Sequence, residues 1–373
     1  MDPILCQLTR ALVKINQPLK WDIFTVQGKL LLHKGYVVQS EAQLEALLDR
    51  GMYAIASEVK RPDRETSQAN EFDTFTLWEK LSKISARLNT AYLNAPSAEL
   101  LTSLDEALVI IDALLDKTPD AAIFEMFQMD MSNYVVAHNH QTTFLVMMIA
   151  KRMGWDTKKI RTLARAAATM NIAVLELQSL LAIQKEPMRH AQREQMRNHG
   201  PRAREILAQM GVTNQDWLRA VAEHHPDILP IGQPPSEMAN IIHHADVYLA
   251  KISPRATRSA KLPNIAAKEM MQGKTFSAEI VATIIKEIGI YPPGIHVKLA
   301  NGDTGIVTVR GKQAHTPTVF SLSNAAGLPM MEPVRRDTST AAFAITSIVP
   351  KNKVMVTLNR SKLFGVKGVI EFG

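Results

Sequence analysis

Ile241-Ile242-His243-His244-Ala245-Asp246-Val247-Tyr248 decides the fold. Two histidines and a carboxylate interrupt an otherwise apolar helical run over 237–252, and a carboxylate on a buried face needs a partner or a metal ion. Outward from it, segments near 122–131, 135–153, 157–173, 190–210, 215–224, 263–271 and 277–289 also read as helices, separated by short breaks with Gly or Pro. Strand patterns are absent from this stretch, which predicts an α-helical bundle over 120–290. Upstream, Leu77, Leu81, Ile84 and Leu88, then Leu100, Leu104, Leu108, Ile111 and Leu115, recur at helical spacing around a break at Asn94-Ala95-Pro96. They predict a helical hairpin or linker over 73–118 that either forms a homodimer or packs on its own domain.

Downstream of Tyr291-Pro292-Pro293-Gly294 the texture changes. Ile295, Val297 and Leu299 alternate with polar residues, Asn301-Gly302 marks a hairpin turn, and Gly305–Val309 is the return strand. Further strands are expected at Thr318–Leu322 and Lys353–Leu358, with a loop over 323–342. Residues 291–373 thus read as a small C-terminal β subdomain. Residues 1–60 read as a small mixed α/β module, with strands over Trp21–Gly28 and Lys29–His33. A capping box at Ser40-Glu41-Ala42-Gln43 opens a helix over Glu41–Arg50 that ends on Gly51. Residues 57–72, polar and containing Pro62, form a linker. The fold class is mainly α.

Of the 373 residues, 46% are apolar and 21% charged, the balance of a globular chain of two or three domains. No stretch approaches the roughly 18–20 uninterrupted apolar residues of a membrane span, and the N-terminus has no basic region followed by an apolar one. The single Cys6 forms no internal disulfide, which fits a reducing cytoplasm. The net charge of +7 favours an anionic partner. It is dispersed, however, and with no zinc-finger spacing and no Lys/Arg-rich arm, nucleic acid is not the expected partner.

Eleven histidines are present, and eight of them (138, 140, 190, 199, 224, 225, 243 and 244) fall inside the predicted bundle. Neutral imidazole is the commonest nitrogen ligand of transition metals, so the clustering points to a metal site. His138 and His140 lie about 200° apart on one helix and cannot both face one site; His138, a turn after Tyr134, is the inward candidate. His224 and His225 close a helix before Pro226 and diverge by about 100°, so they serve two neighbours or cap the helix dipole.

At these residues the chain resembles the HD-GYP branch of the HD phosphohydrolase superfamily. The resemblance spans about 120–310: Tyr134 with His138, Met153-Gly154-Trp155, Arg197-Asn198-His199-Gly200, Glu223-His224-His225, the 241–248 segment with Ser253-Pro254-Arg255 and Arg258, and Tyr291 to Val307. It implies an HD-type helical bundle holding two or three iron or manganese ions and hydrolysing cyclic di-GMP. The metal ligands would be His138, His199, His224, His225 and Asp246. Lys251, Arg255, Arg258 and Lys261 would face phosphates.

The departures from the family lie at its centre. The His-Asp dyad falls at Met170-Asn171, and the Gly-Lys after it at Ala173-Val174. The paired histidines are followed by Pro226 and a shortened 227–234 loop without the Asp-Gly-x-Gly-Tyr-Pro sequence. A bridging carboxylate joins two metals and helps generate the attacking hydroxide, and neither thioether nor amide replaces it. The expectation is a degenerate, catalytically inactive bacterial signalling protein, acting in the cytoplasm by binding a cyclic dinucleotide or a signalling protein partner. It would hold one or two divalent metals, Fe or Mn, at a reduced site, or none. The alternatives are a metal-dependent cyclic di-GMP phosphodiesterase with a rearranged site recruiting His140, His190, His243 or His244, and a non-catalytic scaffold like the HDOD proteins.

Overall fold

The structure, a computed structural model, describes residues 5–7, 13, 15–25, 27–40, 43–44, 47, 52–55, 74–93, 98–129, 134–253, 260–273, 275–354, 356, 358 and 360–364. The chain forms two compact units, 1–71 and 72–373. In the first, β1 (Leu5–Gln7), β2 (Ile23–Phe24), β3 (Leu30–Leu32) and β4 (Tyr53–Ile55) make an antiparallel sheet in the order β1-β4-β2-β3. The β2–β3 hairpin turns through Gly28 at φ +78°, a conformation glycine adopts without a Cβ clash. Val13, Leu19, Ile23, Val38, Leu44, Met52 and Ala54 fill its core. Ser40 Oγ accepts from the Gln43 amide at 3.2 Å, but Gln43 Oε1 reaches back to the amide of Gln39 at 2.9 Å, one residue beyond the expected capping box. Gln43, Leu44 and Leu47 are helical; the rest of the helix expected over 41–50, its stop at Gly51 and the 57–72 linker lie outside the described residues.

The second unit opens with α1 (Thr74–Leu93), α2 (Ala98–Lys117) and α3 (Pro119–Gln128). Then come α4 (Tyr134–Arg152), α5 (Thr157–Thr169), α6 (Leu175–Ile183), α7 (His190–Gln209) and α8 (Gln215–Glu223). The helical stretch closes with α9 (Glu237–Ile252), α10 (Pro263–Gln272) and α11 (Ala278–Ile288). One core runs through them: Leu81, Leu104 and Ile111 of the hairpin pack in the same apolar cluster as Phe144, Leu163, Ile241 and Ile284. Local chemistry sets the boundaries. Asp156 caps α5 by accepting from Lys159 N (2.9 Å), and Asn214 caps α8 by accepting from Trp217 N (3.0 Å). Gly154, at φ +73°, reverses the chain between α4 and α5. No helix among the described residues is long and apolar enough to cross a membrane.

Two helical readings need correction. The helix expected over 157–173 stops at Thr169, and residues 170–173 form turns, with Ile172 N bonded to Thr169 O and Val174 N to Asn171 O. The segment after it, left without an element by sequence, forms α6. Its apolar residues crowd together instead of recurring on one face, and only Leu175 is buried, so periodicity did not mark it.

The C-terminal strands β5 (His296–Leu299), β6 (Thr304–Val309), β7 (Thr318–Ser323), β8 (Pro329–Asp337) and β9 (Ile345–Val349) form an antiparallel sheet ordered β8-β7-β6-β5-β9. The loop expected over 323–342 is wrong: it contains β8, an edge strand whose Pro329 and Pro333 are tolerated because it pairs on one side only. The strand expected at Lys353–Leu358 is also wrong. Lys351–Lys353 is a 3-10 turn, Val354, Val356 and Leu358 pair in no ladder, and the strand lies earlier, at β9. A short helix, α12 (Arg360–Phe364), follows. Buried acids of α3 tie the C-terminal region to the helices: Asp120 accepts from Arg310 Nε at 2.6 Å and from the Arg310 amide at 3.1 Å just after β6, and Glu125 pairs with Arg360 of α12.

Candidate metal centre

Four helices bring the histidines together: α4 carries His138, α7 carries His199, α8 ends at His224-His225, and α9 carries His243 and Asp246. Gly200 permits a close approach of α7 to the end of α8. A Cβ there would stand 2.9 Å from Ala222 O and 3.0 Å from Val221 O, so α7 lies directly on the end of α8 because residue 200 has no side chain. His199 Nδ1 lies 2.5 Å from Met196 O, and His224 Nδ1 lies 2.7 Å from Val221 O. A carbonyl only accepts, so each Nδ1 is the donor, and in the neutral ring, which burial favours, each Nε2 is left with its lone pair. Those two Nε2 atoms are 2.9 Å apart. The ring of His225 is 4.9 Å from that of His199 and 4.4 Å from that of His224, and each of the three residues offers a nitrogen within 4.8 Å of the others. Burial lowers the basicity of His199 despite the Met196 carbonyl, and burial, then His225 and His199, lowers that of His224 well below the ordinary value.

His138 and Asp246 meet one another: Nε2–H donates to Oδ1 at 2.6 Å, with the Tyr134 ring stacked on the imidazole at 5.3 Å. His138 Nδ1 is buried and has no hydrogen-bond partner. Burial alone would raise the Asp246 pKa; the His138 hydrogen bond and charge, with His225 and His224 nearby, overcome it and hold the carboxylate ionised far into acid. At the dyad positions, Met170 is fully buried in the apolar core. Both ends of the Asn171 amide are engaged: Nδ2 donates to Asn139 Oδ1 at 3.1 Å, and Oδ1 accepts from Gln178 Nε2 at 2.9 Å.

The histidines offered as replacements separate. His243 joins the cluster, with Nδ1–H donating to His224 O at 3.0 Å, its ring 6.1 Å from that of His225 and stacked on Phe276; burial holds it down at about 4. His244 turns away, donating from Nδ1 to Asn240 O and accepting at Nε2 from Ser277 N. His140 lines a separate apolar pocket with Leu88, Leu108 and Ala168, and His190 is exposed at the start of α7. Lys251 and Lys261 both pair with Glu269, so neither is a free phosphate contact; Arg255 and Arg258 lie outside the described residues. Glu223 is structural, accepting from the Ser236 amide that starts α9 and from Arg219. Sequence reading did not single out Asn139, Gln178 or Phe276. Nor did it single out Asp227, whose charge acts on His199; its one signal was a place two residues beyond the histidine pair.

A cleft of about 760 Å³ opens beside the cluster, walled by Ile172, Val174, Glu194, Asn198, Arg202 and His199 itself. The donor set suits one divalent ion held by three imidazoles. It does not suit a bridged pair: no carboxylate stands at 170–171, and Asp246 Oδ1 is already bonded to His138.

No protein-family model and no curated protein matches the chain. Among solved structures it is similar to Bd1817, an HDG"Y"P protein from Bdellovibrio bacteriovorus, at 13% identity with a TM-score of 0.46, over 76% of this chain and 99% of that one.

Proposed function

We propose that the chain is an HD-GYP-like signalling protein that has lost phosphodiesterase activity and binds a cyclic dinucleotide of the cyclic di-GMP type in the cleft beside His199. The observation that carries the reading is Asn171. It occupies the place of the bridging carboxylate, is neutral, and has both amide ends tied to Asn139 and Gln178. Val174, where the family has lysine, offers phosphate no charge. Losing one positioned catalytic group commonly costs about 10²–10⁴ in rate, and here several are missing together. The cleft volume suits a ligand of this size.

The test is to incubate the full chain with cyclic di-GMP and excess Mn²⁺ or Fe²⁺, following products by chromatography and binding by calorimetry. Binding without linear dinucleotide or GMP is the expected result. Turnover that disappears in His199→Ala would overturn the reading, and absence of both binding and turnover would move it to the scaffold class.

A further inference from the structure

We infer that the cluster at His199, His224 and His225 is a mononuclear, nitrogen-donor site for a borderline divalent ion of the zinc class, in place of the dinuclear iron or manganese centre that the sequence resemblance implies. The argument starts from the two facing Nε2 atoms. Backbone carbonyls hold both Nδ1 protons, so neither Nε2 has a proton for the other across 2.9 Å. Two lone pairs directed at each other repel, and a cation between or beside them relieves that repulsion. Two nitrogens each about 2.1 Å from one ion stand about 3.0–3.4 Å apart, so the observed spacing needs little adjustment. Carbonyl acceptors on the far ring nitrogens are the outer partners that fix ligating imidazoles. His225 supplies a third nitrogen within 4.8 Å.

The three nitrogen donors of the cluster set the kind of ion. Manganese favours carboxylate, carbonyl and water ligands, whereas neutral imidazole suits zinc, copper, nickel and iron, so the donor type argues against manganese and the single-ion geometry against a dinuclear iron centre. Within the cluster all three donors are imidazoles. The residues that a second ion would need are engaged with one another: Asp246 Oδ1 with His138, and the Asn171 amide with Asn139 and Gln178. His199 also lines the open cleft, so a fourth coordination position is available to an anionic oxygen. For that ligand the inference rests on the nucleotide-binding reading above; the ion is tested without any nucleotide.

The full chain, stripped with a chelator and dialysed, is titrated separately with Zn²⁺ and with Mn²⁺ against a chromophoric chelator, and bound metal is counted by elemental analysis. One zinc per chain is expected, with manganese weaker by on the order of 10²-fold or more. His225→Ala, a half-exposed position whose fold is checked by circular dichroism, is expected to weaken zinc by more than about 100-fold, beyond the effect of losing an outer-shell partner. Two ions per chain, preference for manganese, or no bound zinc would each overturn the inference. A zinc-loaded protein that ignores cyclic di-GMP would leave the metal site standing and remove the nucleotide reading.

Discussion

His140 lies two residues from His138 and does different work. Its pocket is apolar, and burial lowers it from 6.5 to about 4. The unfolded chain therefore takes a proton here near pH 6.5, and the folded chain only near pH 4. The stability this residue permits is complete above pH 6.5 and is lost as pH falls towards 4, by about 3 kcal/mol at the lower end. His140→Leu is expected to flatten the fall of stability over that window in urea titrations at stepped pH; an unaltered slope would count against the assignment. At Asn171 the consequence is different. Asn171→Ala leaves the buried Asn139 carbonyl oxygen without its donor and is expected to cost about 1–3 kcal/mol in the same assay.

The junction of α7 and α8 is where an element, more than any single ligand, makes the site. Gly200 lets the two helices touch backbone to side, and that contact puts His199 and His224 within 2.9 Å. Gly200→Ala forces the helices apart. The expected loss is about 1–3 kcal/mol, typical of overpacking, with weakened metal binding although no ligand is altered. Normal zinc affinity in a folded Gly200→Ala chain would show that the approach of the helices does not set the site. In the C-terminal sheet, β7 has a regular alternation and was legible, while β8 carries two prolines and exposed Met331 and Val334 and was not. An edge strand obeys weaker rules than a central one, because one side of its backbone needs no ladder partner.

On the scale of the whole 72–373 unit, sheet and helices are joined through buried acids. Asp120 is 4% exposed and accepts from both the backbone and side chain of Arg310, whose guanidinium also donates to Glu287 O at 2.5 Å. Removing the cation leaves a buried carboxylate uncompensated, which typically costs about 3–5 kcal/mol. Arg310→Ala is expected to lower the urea midpoint accordingly; a shift under about 1 kcal/mol would mean that solvent replaces the arginine.

The sequence by itself determined the helical class, most helix boundaries and the list of ligand-type residues. Apolar periodicity and capping residues are local properties, and Asp156, Asn214 and Gly154 act within one turn of chain. It also showed that the dyad position is Met170-Asn171. It did not show what those side chains do instead, that His243 and not His244 joins the cluster, or that Lys251 is bound to Glu269. Those are decided by which helix faces which. Adjacent residues on a helix diverge by about 100°, so the partner of each histidine depends on the packing of four helices separated by up to 108 positions in the chain, as between His138 and Asp246. Only the tertiary structure brings His199 Nε2 and His224 Nε2 face to face, because the two rings stand on different helices 25 positions apart in the chain.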